Sequence, residues 1–198
     1  MSNTELKLEE VKHMTSAIQQ QVIISGVGGQ GVLFVTRLLA EAAINKGLPV
    51  FTSETHGMAQ RGGTVLSHFK VGDFASPLIR PLQADILVLL KPENLKQHSS
   101  FLKPDGWVVS NGTHDLENES QAAVRTIDAD ALAQKIENPK AVNLVVLGFA
   151  LATAEKAVAN DKLFCSAEDI IDVLKNRFGK NQKMLSASLK ALEAGYKG

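Results

Sequence analysis

The chain has 198 residues, 44% of them hydrophobic, and its 21 Lys and Arg are balanced by 21 Asp and Glu. That length suits one domain with a sizeable core, and the balanced charge supplies no global field to recruit nucleic acid or an anionic membrane surface. The single cysteine, Cys165, excludes an internal disulfide framework, a four-cysteine iron–sulfur cluster and a four-cysteine zinc site within this chain.

Residues 1–20 are polar and mixed in charge, without an apolar core, so they read as a flexible N-terminal arm rather than a secretory signal. No run is long enough to span a bilayer, and a cytoplasmic setting is expected. Residues 21–198 read as one domain. It opens with the β-branched strand Val22–Ser25, which meets Gly26-Val27-Gly28-Gly29-Gln30-Gly31 and then an apolar-periodic helix over Gly31–Lys46. Gly26, Gly28 and Gly31 fill the G-x-G-x-x-G positions in strand–turn–helix context, which suits an anion at the helix start. Val32 and Leu33 stand where a Walker loop needs Lys and Ser/Thr. A turn of this kind also serves any doubly wound sheet without binding anything.

Leu48–Ser53 reads as a second strand, so the first three elements predict a right-handed parallel unit. Glu54–Gly63 follows as a glycine-rich loop holding Glu54, His56, Gln60 and Arg61. It is expected at the same carboxyl edge as the glycine turn, where open α/β sheets bind ligands. Glu54 stands near the place of the acidic residue that takes ribose hydroxyls in dinucleotide sites. Arg61 suits bidentate binding of a phosphate or carboxylate, and His56 titrates near neutrality. No nucleophile–base–orienter set is visible, so no catalytic residue is assigned, and docking on a partner is favoured over self-contained catalysis.

Thr64–Val71 is a strand with both faces partly apolar, Gly72-Asp73 a turn and Phe74–Pro81 a loop. Ala84–Leu90 is a fully buried strand by its continuous apolar run. A helix over Glu93–Phe101, a turn at Pro104-Asp105-Gly106, and strands at Trp107–Ser110 and Ala122–Ile127 follow. Asp128 caps a short helix through Ile136. Helices are then predicted over Val142–Asn160, Ala167–Phe178 behind a Ser166/Asp169 capping box, and Gln182–Tyr196. His13, His68, His98 and His114 have no ligand spacing and read as structural or surface, and Asp128 and Asp130 as a helix start rather than metal ligands. No metal site is assigned. Cys165 precedes a helix start, but with no histidine nearby in sequence an inert thiol is favoured. The architecture predicted is a doubly wound, mostly parallel, Rossmann-like α/β sheet with a helical C-terminal portion.

Gly26–Val32, Ser53–Gly63, Ser67-His68 and Ser76-Pro77-Leu78-Ile79, in that order, resemble the gamma-type subunit or domain of 2-oxoacid:ferredoxin oxidoreductases. Within that family the small (beta) subunits of the indolepyruvate enzymes are the nearest likeness. The likeness runs from about Val22 to the C-terminus, and Met58–Gly63 is far more specific than the glycine triad. It implies a multi-subunit enzyme that oxidatively decarboxylates a 2-oxo acid using thiamine diphosphate, iron–sulfur clusters and coenzyme A. It also implies that the small subunit holds neither thiamine diphosphate nor clusters, which belong to a large partner that passes electrons to ferredoxin. On this reading Gly26, Gly28, Gly29, Gln30, Gly31 and Arg61 are candidate contacts to coenzyme A or to the partner's cleft. Glu54, His56 and Gln60 are candidate cleft or interface residues. A homodimer is compatible with the chain in isolation. The rival reading is a stand-alone nucleotide- or dinucleotide-binding module.

Overall fold

The computed structural model describes residues 18–56, 63–113, 122–157 and 162–198. Six strands form one sheet: β1 (Gln20–Val27), β2 (Val50–His56), β3 (Thr64–Val71), β4 (Ala84–Leu89), β5 (Leu102–Asn111) and β6 (Ala123–Ile127). Their order across the sheet is β2-β3-β1-β4-β5-β6. The helices are α1 (Val32–Asn45), α2 (Asn94–His98), α3 (Ala129–Lys135), α4 (Val142–Lys156), α5 (Ala167–Phe178) and α6 (Gln182–Tyr196), with 3-10 turns at Ser99–Phe101 and Pro139–Ala141.

The expected mostly parallel α/β sheet with a helical C-terminal portion is what forms. β1 pairs parallel with β4, β4 with β5, and β5 with β6. β2 also points the way β1 does, but the two are not neighbours. β3 lies between them, antiparallel to both. The β1–α1–β2 unit therefore skips one strand position, and the hairpin return of β3 fills it. Hydrophobic periodicity carries no information on which strand fills a gap.

The two faces differ. On one, Val22, Ile24, Phe69, Ile86, Val88, Trp107 and Val109 meet α1 and the C-terminal helices in the larger core. On the other, Ile23, Leu87, Leu89 and Val108 form a smaller core whose cover among the described residues comes chiefly from Leu95 of α2, Phe101 and Ile79 of the segment before β4. Alternation along each strand divides the residues between the faces. Pro104-Asp105-Gly106, read as a turn, lies inside β5. The register jumps there, with Ala84 opposite Leu102 but Ile86 opposite Trp107, so the extra residues form a bulge.

α4 is buried nearly all round, and it lies against α6 with the two backbones touching. Gly148 and Gly195 make this approach: a Cβ on Gly148 would overlap the Leu192 carbonyl, and one on Gly195 the Val145 carbonyl. The start of α3 accords with the sequence, Asp128 accepting from the Ala131 N–H at 2.9 Å. So does the Ser166/Asp169 capping box of α5. No helix among the described residues is long and apolar enough to cross a membrane.

Gly195→Ala is expected to lower stability by about 2–3 kcal/mol, because backbone rather than a flexible side chain stands in the way. Urea unfolding of the full chain checks this; a change below about 0.5 kcal/mol would show that the two helices can separate freely.

Candidate functional site

The glycine turn sits at the carboxyl edge of the sheet, between the end of β1 and the start of α1. Gly29 and Gly31 have φ of +95° and +84°, where side-chain-bearing residues are strained. The Gln30 side chain folds back beneath the turn. Its Oε1 accepts from the Val27 N–H at 2.8 Å and its Nε2 donates to the Leu90 carbonyl at 3.3 Å. Gly26 leaves room for this, since a Cβ there would crowd Gln30 Oε1 at 2.8 Å and Val32 at 3.0 Å. Gln30 therefore braces the turn from within, and its amide is spent inside the chain.

Three further carboxamides tie the rim together. Asn94 of α2 donates to Ser25 Oγ at 2.8 Å and to the Gly26 carbonyl at 3.3 Å. Asn111, ending β5, accepts from the Ala129 N–H at 3.0 Å and donates to Asp130 at 2.7 Å and to the Leu90 carbonyl at 3.4 Å. Asn143 of α4 reaches the Gly31 carbonyl at 3.5 Å and occupies the space where a Gly31 side chain would stand. A carboxamide both donates and accepts without charge, so it can join strand ends to helix starts at low desolvation cost. Sequence reading missed all three asparagines. The available signal was a polar residue just past a strand end or helix start within an otherwise apolar stretch.

The turn's own N–H groups divide in two. Gly28 donates to the Gly63 carbonyl at 3.1 Å and Gln30 to the Val27 carbonyl at 3.1 Å. Those of Gly29, Gly31, Val32 and Leu33 have no acceptor among the described residues. α1 starts on a glycine with no side-chain cap and no acidic residue in its first turn, so its positive end is uncompensated by its own residues. A shallow groove of about 300 Å³, lined by Val27, Gly28, Gly29, Gly31, Val32, Leu33 and Val65, runs beside it.

The expected second loop begins later than the sequence suggests. Glu54, Thr55 and His56 belong to β2, opposite Ser67, Leu66 and Val65 of β3. Glu54 is exposed on this edge strand. Residues 57–62, with Gln60 and Arg61, lie outside the described residues, as does the His56 side chain. Their flanks are fixed: His56 ends β2 at the rim, and Gly63 receives the Gly28 N–H. Both segments thus leave the sheet at one edge.

His68 and His98 come together on the thinly covered face, packed on Phe101 at 5.6 and 6.4 Å between ring centroids. Burial and then a neighbouring positive charge lower both, Lys70 acting on His68 and His68 on His98. His68 Nδ1 accepts from the Ile79 N–H at 3.2 Å, a packing role that agrees with the structural reading. His13 and His114 lie outside the described residues. Cys165 is buried and its thiol is pushed up to about 12, chiefly by desolvation, as an inert thiol requires.

Residues 21–198 match the family model described as pyruvate ferredoxin/flavodoxin oxidoreductase. The chain is 30% identical over 195 residues to the indolepyruvate oxidoreductase subunit IorB of Archaeoglobus fulgidus, covering 88% of this chain and 92% of that one. It is similar in fold to the pyruvate oxidoreductase subunit PORC of Thermotoga maritima, with TM-score 0.71, 23% identity, and 90% and 96% of the two chains covered. It is likewise similar to 2-oxoglutarate:ferredoxin oxidoreductase from Magnetococcus marinus, with TM-score 0.73 and 21% identity, over 90% of this chain and 30% of that one. The chain belongs to the pyruvate ferredoxin/flavodoxin oxidoreductase family, as a subunit of a 2-oxoacid:ferredoxin oxidoreductase.

Gly29→Ala and Gly31→Ala separate backbone strain from crowding. A Cβ on Gly29 meets nothing within 4 Å, so only the positive φ resists it, at about 1–2 kcal/mol. Gly31→Ala must also displace Asn143 and is expected to cost at least about 1 kcal/mol more in urea unfolding. Equal losses would mean that Asn143 does not brace the turn.

Proposed function

We propose that this subunit serves an enzyme for indolepyruvate or a related aryl pyruvate, and that it works by shaping a cleft rather than by reacting. The rim at the glycine turn, where Gly28 meets Gly63, is proposed to dock on a larger subunit. Thiamine diphosphate and the iron–sulfur clusters are assigned to that partner, which delivers electrons to ferredoxin. What favours this division is the donor set: the sole thiol is buried and pushed up to about 12, unsuited to holding a cluster. The substrate rests on the name of the Archaeoglobus fulgidus relative. A cytoplasmic setting accompanies this reading.

Coenzyme A is the co-substrate, and its phosphates are proposed to lie against the rim. The N–H groups of Gly29, Gly31, Val32 and Leu33 and the positive end of α1 fit an anion. Arg61 is proposed to supply a positive charge to those phosphates, with Gln60 and His56 as further cleft or interface contacts. Gly26, Gly28 and Gln30 act indirectly, by shaping the turn. Glu54, on the same edge, sets the limit of the anionic site by repulsion. The solved Magnetococcus marinus relative carries coenzyme A and succinyl-CoA, in keeping with a co-substrate of this chemistry. The supporting observation is the Gly28-to-Gly63 hydrogen bond, which joins the two segments at one place.

Two measurements check this. Isolation from native extract should yield a brown complex with a large cysteine-rich subunit. A colourless homodimer that a dinucleotide stabilises would contradict the reading. In the assembled enzyme, Arg61→Ala should raise KM for coenzyme A by about tenfold or more with kcat nearly unchanged, as loss of a charge-assisted pair to phosphate predicts. An unaltered KM would remove Arg61 from the site.

A further inference from the structure

The segment between β3 and β4 crosses the thinly covered face of the sheet. It is pinned where the Ile79 N–H donates to His68. Beneath it lies a cavity of about 400 Å³, lined by residues that include Gln21, Lys70, Phe74, Ser76, Arg80 and Gln83. Lys70 faces Gln21 across the β1–β3 ladder, whereas Thr64 faces Val27 beside the glycine turn. The cavity and the turn are therefore at opposite ends of the same strands, roughly 20 Å apart by strand rise.

Lys70 is only 7% exposed. Its Nζ lies 4.9 Å from the centroid of the Phe74 ring, which offsets part of the cost of burying the charge. Among the described residues no carboxylate pairs with Lys70 or with Arg80. Asp85, on the strand beyond β1, is committed elsewhere. It accepts from the Gln21 N–H at 2.6 Å and is bridged by Lys103 at 2.5 Å. Burial, and then the charge of Arg80, hold the Lys70 ammonium below its ordinary value.

Buried charges in folded proteins are as a rule paired, and two cations that converge without an anion repel one another. A negative group placed between Lys70 and Arg80 would relieve both. The volume falls within the roughly 300–1,000 Å³ range of small-molecule sites. Phe74, Leu78 and Pro81 give it an apolar wall, while Ser76, Gln21 and Gln83 add uncharged polar groups. We propose that this cavity binds a small organic carboxylate, its head group between Lys70 and Arg80 and its apolar body along Phe74. Arg80 can hold the two oxygens in parallel and Lys70 adds a point charge. The site is independent of the role proposed for the glycine turn.

The probe is phenylacetate, titrated into the full-length chain and followed by thermal unfolding. A saturable rise in Tm is expected, with the apparent affinity at least about tenfold weaker in K70M and in R80Q. Arg80 is exposed, so R80Q tests the site even where K70M fails to fold. No saturable rise, or an equal rise in a folded variant, would overturn the proposal. So would an equal effect of inorganic phosphate, which would make the cavity a general anion well. If the chain binds phenylacetate alone but not within the complex from native extract, a partner carboxylate fills the place and the small-molecule site is refuted. A fall in the unliganded Tm of R80Q larger than the rise given by phenylacetate would assign the pair to structure instead.

Discussion

The antiparallel ladder between β1 and β3 governs the functional edge of this molecule. It runs without a break from Gln20 opposite Val71 to Val27 opposite Thr64, and the Gly28 N–H continues it to the Gly63 carbonyl. A strand entering between β1 and β2 from the opposite direction must begin where β1 ends. The start of β3 is thereby held beside the glycine turn, with Gly63 against Gly28.

The same rim is stiffened by uncharged groups. Gln30, Asn94, Asn111 and Asn143 connect the ends of β1, β4 and β5 to the starts of the helices that follow. Their amides saturate backbone groups that would otherwise be buried without partners, and they leave the electrostatics of the helix start intact. Charged braces at those positions would either cancel the positive end of α1 or compete with an anion for it. The core beneath allows this, because α4 and α6 approach each other through Gly148 and Gly195 and bring Asn143 up to the turn.

Much of this was legible from residue order, and the failures have local causes. The strand–turn–helix around Gly26–Gly31, β3, the Asp128 cap and the last two helices rest on short-range signals, and each was found where expected. Neighbour relations in the sheet rest on no such signal, so β3 was not foreseen between β1 and β2. The Pro104-Asp105-Gly106 turn became a bulge because β4 and β5 pair on both sides of it. The inward fold of the Gln30 side chain has no signal in residue order, because it depends on the inner space that Gly26 opens. Lys70 lies in a strand whose two faces both read as partly apolar, and its burial beside Phe74 depends on the segment that follows β3.

The central claim is that the paired segments at this rim are built to meet another subunit. Hydrogen exchange compares them directly in the isolated chain and in the complex from native extract. The account predicts slowing of amide exchange confined to residues 28–33 and 54–65 on assembly. Unchanged exchange there, with new protection on α5 or along β6 instead, would contradict it.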